Sequence, residues 1–426
     1  MKNTPCKRVT LLALATCTLA ACGGSESPTA DNSGPTTFQA QMLARQAQGS
    51  QTPAVAAPIA VDIAQAAATV SRDWAVPELA RLGSSTFSND AVAPPVHFAY
   101  LQSVAAAARG QTQARLDAVL PAATVRAALM QGVSRTVRAG AQTAVSDGFI
   151  AAVAMADDPA ALKSLALAEL PPAALQQEPN LRVEVINTFD GRHAWQRPVA
   201  FQGHFVTASL EHRTVPMLRV AGAVLVRNAA DHEAAGVALA DGSWLWRITP
   251  AAGVVQWRQA ALASALAELG AVMVSGAAAQ AQPGEMVVPA AAAFRVGALD
   301  GGPDMWPATD PITADMRGLD GIGGTYLRAP GGSGTLHFDA LGFDWSASRT
   351  AQFVWDPRNV FNGSFGGVIS TNIDTTGIVF GTGTQTPQCT SPAPDLRPAY
   401  YVRLDANGRV LLLARLATLD GPWCLP

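Results

Sequence analysis

Asp395-Leu396-Arg397-Pro398-Ala399-Tyr400-Tyr401-Val402-Arg403, followed after a short connection by Val410-Leu411-Leu412-Leu413-Ala414-Arg415-Leu416, is the stretch from which the fold is read. Tyr400 to Leu404 and Val410 to Leu416 are rich in aromatic and aliphatic side chains, as strands are. Between them, Asp405-Ala406-Asn407-Gly408 supplies residues that turn a chain cheaply. The spacing predicts a terminal antiparallel hairpin.

The same pattern recurs upstream. Val237 to Ile248 turns at Asp241-Gly242, a strong hairpin signal. His204 to Leu218 alternates around Glu211-His212-Arg213, and Leu181 to Phe189 reads as a strand. Before about residue 133 the period changes. Val96, Tyr100, Val104 and Ala108 recur every four residues, with Leu101 and Ala105 beside them, which predicts a helix ended by Arg109-Gly110. Thr112 can cap a second helix carrying Leu116, Val119 and Leu120 on one face. Helical patterning begins near Ile59, and one later helix is expected at about Gln256 to Leu269. Helices first and antiparallel strands later make an α+β domain.

These segments resemble the serpin family. The ending quoted above is similar to that family's Arg-Pro-Phe, strand, turn and closing strand, with Ala399 in place of Phe and Ala414 in place of Gly. In matching order, Val92-Ala93-Pro94-Pro95-Val96-His97-Phe98 and Ala108-Arg109-Gly110-Gln111-Thr112 resemble the two ends of its Phe-Ser-Pro helix. Phe189-Asp190-Gly191 with Trp195 resembles Phe-Lys-Gly-x-Trp. Phe205 with Val215-Pro216-Met217 and Ala314-Asp315-Met316-Arg317-Gly318-Leu319 match two further segments. The resemblance spans roughly residues 60 to 420. It implies three mostly antiparallel β-sheets and an exposed reactive loop near the C-terminus. It also implies a serine protease as partner and a trap in which the cleaved loop enters the central sheet as an extra strand.

Thr335 to Gly342 aligns with the strand leading into that loop, and Gly342 matches the family's hinge glycine. The hinge then reads Gly342, Phe343, Asp344, Trp345, Ser346, Ala347, Ser348, where the family has small residues. Phe343 and Trp345 share one face of an extended chain. Overpacking costs about 1–3 kcal/mol per site. The expectation is therefore an exposed loop that inserts poorly and a protein that traps little protease. Ala93 and Val96 also replace the family's helix-start serines, and Asp158 to Asn180 looks short for its sheet-covering helix. Roughly fifty residues separate Gly342 from Arg397, a long loop. Counting from Gly342 places the scissile bond near Asp356-Pro357. Proline after the bond blocks most proteases, so Arg358 is the better bait, with Arg349 the other basic candidate. The reading leaves open an inhibitor of serine endopeptidases and a non-inhibitory binding or structural protein of the same fold.

The N-terminus sets the compartment. Lys2, Lys7 and Arg8 precede a short apolar run from Val9 to Ala21, of signal-peptide rather than membrane-spanning length. Leu19-Ala20-Ala21-Cys22 resembles the bacterial lipobox, which implies a lipid on Cys22. Gly23 in place of Asp favours the outer membrane, periplasmic or surface-exposed. Residues 1–21 then form the signal, 22–58 a Ser-, Thr- and Pro-rich tether, and 59–426 the folded domain.

Of five cysteines, Cys6 and Cys17 leave with the signal and Cys22 takes the lipid. Cys389 and Cys424 remain, and an even pair in an oxidising compartment reads as a disulfide. The formal charge of −3 gives nucleic-acid binding no electrostatic support. The six histidines form no HExxH or i,i+4 pair, so neither a metal nor another cofactor is expected, and His212 and His232 read as surface residues. Gly331-Gly332-Ser333-Gly334 and Asn362-Gly363-Ser364-Phe365-Gly366 superficially resemble a nucleophile elbow, but neither has glycine on both sides two residues from the serine, and Gly381-Thr382-Gly383 reads as a turn. The expectation is a monomer and not an enzyme.

Overall fold

The computed structural model describes residues 59–82, 88–139, 181–228, 231–251, 253–254, 257–276, 282–296, 315–316, 319, 325–327, 331–355 and 388–425. The signal, the tether with Cys22, the 158–180 segment, the candidate bait Asp356-Pro357-Arg358 and the glycine-rich stretches at 362–366 and 381–383 lie outside these residues.

Helices lead, as the periodicity predicts. They are α1 (Val61–Leu82), α2 (Pro94–Ala107), α3 (Gly110–Val119) and α4 (Ala123–Leu129), with α5 (Gln259–Ser275) later. Pro94 occupies the first turn of α2, where its missing N–H costs nothing. Gly276 closes α5 in the left-handed conformation at φ 68°. None of the helices described is long and apolar enough to cross a membrane.

The strands are β1 (Asp90–Val92), β2 (Ser134–Ala139), β3 (Leu181–Ala194), β4 (Val199–Val206), β5 (His212–Asn228), β6 (His232–Ala238) and β7 (Trp244–Pro250). There follow β8 (Gln282–Pro289), β9 (Ala292–Val296), β10 (Thr325–Leu327), β11 (Gly331–Asp339), β12 (Gly342–Trp355), β13 (Ala399–Leu404) and β14 (Val410–Leu416). Pairing is antiparallel throughout except between β1 and β9. The main path runs β2-β3-β12-β11-β9-β1-β14-β13-β7-β6-β5-β4. In hydrogen-bonding terms the three expected sheets thus run together, because β1 joins β9 to β14.

The terminal hairpin forms where the sequence places it. Asp405 Oδ1 accepts the Asn407 and Arg409 N–H groups, and Gly408 takes φ 78°, so the side chains chosen for a turn make one. Every residue of β13 and β14 is buried. Around this hairpin Phe294, Phe338, Phe343, Tyr401 and Leu412 belong to the largest core cluster.

Candidate functional site

The expected exposed loop entrance is instead a strand. Asp339 ends β11, Ala340-Leu341 turns the chain, and β12 returns between β11 and β3. β12 pairs with β3 from Gly342↔Ala194 to Val354↔Leu181, and with β11 from Asp339↔Gly342 to Gly331↔Thr350. The hinge residues Gly342 to Ser348 and the candidate bait Arg349 therefore lie inside the sheet. Arg349 is buried and offers a protease no substrate bond in this arrangement.

The turn is held from both sides. Asp339 Oδ1 accepts the N–H groups of Leu341 at 2.8 Å and Gly342 at 3.0 Å. Trp195 donates its backbone N–H to the Leu341 carbonyl at 2.7 Å and its indole N–H to the Asp339 carbonyl at 2.9 Å. At Gly342 the backbones approach so closely that a Cβ would stand 1.8 Å from the His193 carbonyl oxygen. Only glycine lets this strand start here.

Phe343 and Trp345 do share a face, but that face receives them. Phe343 is 1% exposed and Trp345 6%. Trp345 lies opposite Gly191 in the register. A Cβ on Gly191 would meet the Trp345 ring at 2.3 Å, so the glycine supplies the indole's space. Phe343 packs at centroid distances of 5.3 Å from Trp195, 5.8 Å from Phe338 and 5.5 Å from Trp345, the range of favourable ring pairs. The Arg403 guanidinium lies 4.1 Å over the Trp345 ring. The expected overpacking is thus absent. Gly191 on the partner strand leaves the room that the Trp345 indole fills.

The strand meets different surroundings at Arg349. Its guanidinium lies 4.7 Å over the Tyr100 ring and donates through Nη1 to His97 Nδ1. A guanidinium only donates, so His97 must accept and be neutral. Burial and then the Arg349 charge hold the His97 pKa well below 6.5, in agreement. Among the described residues Arg349 Nε and Nη2 have no partner. Burial draws the Arg349 pKa down to about 10, against smaller opposing effects that include Glu78. Glu78 itself is bound to Arg81 at 2.8 Å. Asn187, fully buried on β3, donates to the Arg349 carbonyl at 3.4 Å and to Ser103 Oγ at 3.5 Å, and accepts from Arg135 Nε at 2.8 Å. Asn187, Ser103, His97 and Tyr100 carry no signal in the sequence as a group, because α2, β3 and β12 unite them only in three dimensions.

Other readings are settled locally. Cys389 and Cys424 are joined in a disulfide. Gly331-Gly332-Ser333-Gly334 lies within β11, paired along its length, and not at the strand-to-helix turn that a nucleophile elbow needs. His232 is buried beside Trp257 and Asp231, and His212 is half-buried, so the surface reading of both is corrected. Sequence spacing also gave no hint of one convergence of side chains. His204, His212 and Cys389 converge, with all three ligand atoms within 4.8 Å of one another. The i,i+4 rule missed the histidines because β4 and β5 bring them together across a hairpin.

No family model matches the sequence, and no curated protein does. Solved structures do. A cleaved serpin, Serpin 42Da, superposes with a TM-score of 0.56 at 12% identity, covering 85% of this chain and 100% of that one. A loop-inserted, cleaved ovalbumin mutant gives 0.56 at 12% identity over 83% of this chain and 100% of that one. The thermophilic serpin tengpin in its latent state gives 0.55 at 11% identity over 86% and 100%. With the strand order, the seat of β12 and these superpositions together, the chain is a divergent protein of the serpin fold.

Proposed function

We propose that this is an exported inhibitor of a serine endopeptidase, acting from a form in which Gly342–Trp355 lies outside the sheet, by cleavage after Trp355 and insertion of that strand into the position described above. The observation that carries this reading is the seat of β12, a fitted strand position closed at its start by a glycine that no other residue could replace. Strand addition of this kind draws its energy from main-chain pairing, with alternate side chains entering pockets. Arg358 is the proposed bait, and the protein works as a monomer without a cofactor. Incubating the mature domain with a panel of serine proteases tests the reading. An SDS-stable complex, together with a sharp rise in unfolding temperature of the cleaved form, is expected. Clean cleavage with neither result overturns it.

A second reading, a non-inhibitory binding or structural protein, is favoured by one observation. Among the described residues, Arg349 enters the sheet without a carboxylate bonded to it. Its burial works against full insertion, and slow insertion lets a protease complete hydrolysis. Cleavage without a covalent complex, but with a rise in unfolding temperature, supports this reading over the first.

We also place the protein at the outer membrane, held by a lipid on Cys22 and facing the periplasm or the exterior. Leu19-Ala20-Ala21-Cys22 supports this. Several acyl chains anchor stably where one does not. Cys22→Ser should release the protein into the soluble fraction. Retention on membranes after a salt wash would contradict the anchor.

A further inference from the structure

We infer that reduction of the Cys389–Cys424 disulfide uncovers a zinc site formed by His204, His212 and the freed thiolates. Three of the ligands already converge, and the fourth, Cys424, is bonded to one of them and must swing its sulfur away on reduction. His204 on β4 is wholly buried, and its Nδ1 faces the Ser391 carbonyl at 2.9 Å. That carbonyl can only accept, so Nδ1 carries the proton and Nε2 of the neutral ring offers its lone pair. Nε2 faces His212 Nδ1 at 2.8 Å. A histidine fixed through one nitrogen by a backbone carbonyl, with the other nitrogen presented, is the usual arrangement of a metal ligand. Cys389 Sγ completes the group, with all three ligand atoms within 4.8 Å of one another.

In the oxidised protein the sulfur lone pairs belong to a disulfide, a poor ligand, and the imidazoles bind each other. The disulfide therefore keeps the site shut. Reduction does not need to scatter the ligands, because backbone bonds hold the cysteines independently of the bridge. Cys424 donates its N–H to the His212 carbonyl at 3.1 Å, and Cys389 donates to the Leu425 carbonyl at 2.7 Å. Asp395 ties down the His204 backbone, its carboxylate accepting the His204 N–H at 2.9 Å and its own N–H donating to the His204 carbonyl at 2.8 Å. Arg213 lies 4.9 Å over the Trp423 ring beside Cys424.

Zinc with bonds of about 2.0 Å to nitrogen spaces tetrahedral nitrogens about 3.3 Å apart, so the rings need separate by only about 0.5 Å. Two imidazoles and two thiolates are a familiar closed set for zinc. The chemistry balances with a small dithiol as reductant. The dithiol gives two electrons and two protons to the bridge, yielding two protein thiols and its own cyclic disulfide. Zinc then displaces the two thiol protons to solvent. His212 passes its Nδ1 proton to Nε2 through water, with no net release.

The test uses the mature protein, oxidised or reduced by dithiothreitol with the reductant then removed under anaerobic conditions. Zinc is titrated calorimetrically in two buffers to count protons. Cobalt is used in parallel to read the ligand set from its thiolate charge-transfer and d–d bands. Reduced protein should bind one zinc with release of two protons and show the cobalt spectrum of a tetrahedral nitrogen–sulfur site. Oxidised protein should bind none. His212→Gln, a half-buried position that should still fold, should weaken zinc at least tenfold and change the cobalt d–d bands. Cys424→Ser should lose one released proton. Equal zinc affinity in oxidised and reduced protein overturns the gate. Unchanged affinity and spectrum in reduced His212→Gln, or no binding by reduced wild type, overturns the site.

Discussion

From Gly342 to Ala347, β12 lies against partners shaped to receive it, whereas two residues further on the same strand carries a guanidinium against an aromatic ring and a neutral imidazole, with no carboxylate bonded to it among the described residues. At the first end, large side chains looked prohibitive and are accommodated, because Gly191 yields the volume that Trp345 takes. At the second, an ordinary surface residue type is the costly one. Volume is thus judged pairwise across strands, while charge is judged by what the burial site can return. Close packing tolerates a bulky residue wherever its partner is correspondingly small. A buried charge has no such remedy without a counter-charge or a full set of acceptors.

The seat of β12 is most sensitive at Gly342. Gly342→Ala sets a methyl group against the His193 backbone, which cannot rotate away, and should cost the inserted form more than about 5 kcal/mol. Unfolding of the cleaved variant, read by melting and by proteolysis of residues 343–355, checks this. A variant as stable as wild type would mean that β12 does not start where the register puts it.

Next come the rings. Phe343→Ala and Trp345→Ala should each destabilise the inserted form by roughly 3–5 kcal/mol, the usual cost of emptying a large buried aromatic site. The sequence alone points the other way, toward easier insertion on trimming. A denaturant titration of each cleaved variant decides the sign.

At the other end the sign reverses. Arg349→Met should stabilise the inserted form by about 1–3 kcal/mol, since it removes a buried charge while filling the space. The same variant should raise the yield of covalent complex with a susceptible protease. A loss of stability would show that the Tyr100 and His97 contacts more than offset desolvation.

The smallest effect is a pH dependence. His97 has a folded pKa depressed below 6.5, chiefly by burial and then by Arg349. His193 is lowered as well, chiefly by burial, with Asp241 opposing and Arg403 adding to it. For a base with a depressed folded pKa, the unfolded chain binds more protons below pH 6.5, so stability falls as the solution is acidified. The slope approaches about 1.4 kcal/mol per pH unit for each group. His97→Gln should flatten it by about half between pH 6.5 and 5. An unchanged slope would remove His97 from the account.

Much of the fold is legible in the sequence because its signals are local. The terminal hairpin is marked by Asp405 to Gly408, the 232–250 hairpin by Asp241-Gly242, and α2 by its four-residue apolar period. β12 is not legible in the same way. Its apolar alternation is present, but its place depends on Gly191 and His193, some 150 residues away in the chain. Arg349 reads as bait because sequence cannot show that Tyr100 and His97 lie beneath it. The disulfide follows from counting cysteines, yet its neighbours His204 and His212 do not, since eight residues and a hairpin separate them.

Amide hydrogen exchange across Phe343 to Trp355, in protein cleaved between residues 356 and 387, decides whether β12 occupies the sheet. If these residues form the fitted strand between β3 and β11, their amides exchange as slowly after cleavage as those of Val183 to Phe189 on β3. Exchange at the rate of an unstructured loop, with β3 and β11 still protected, would contradict it.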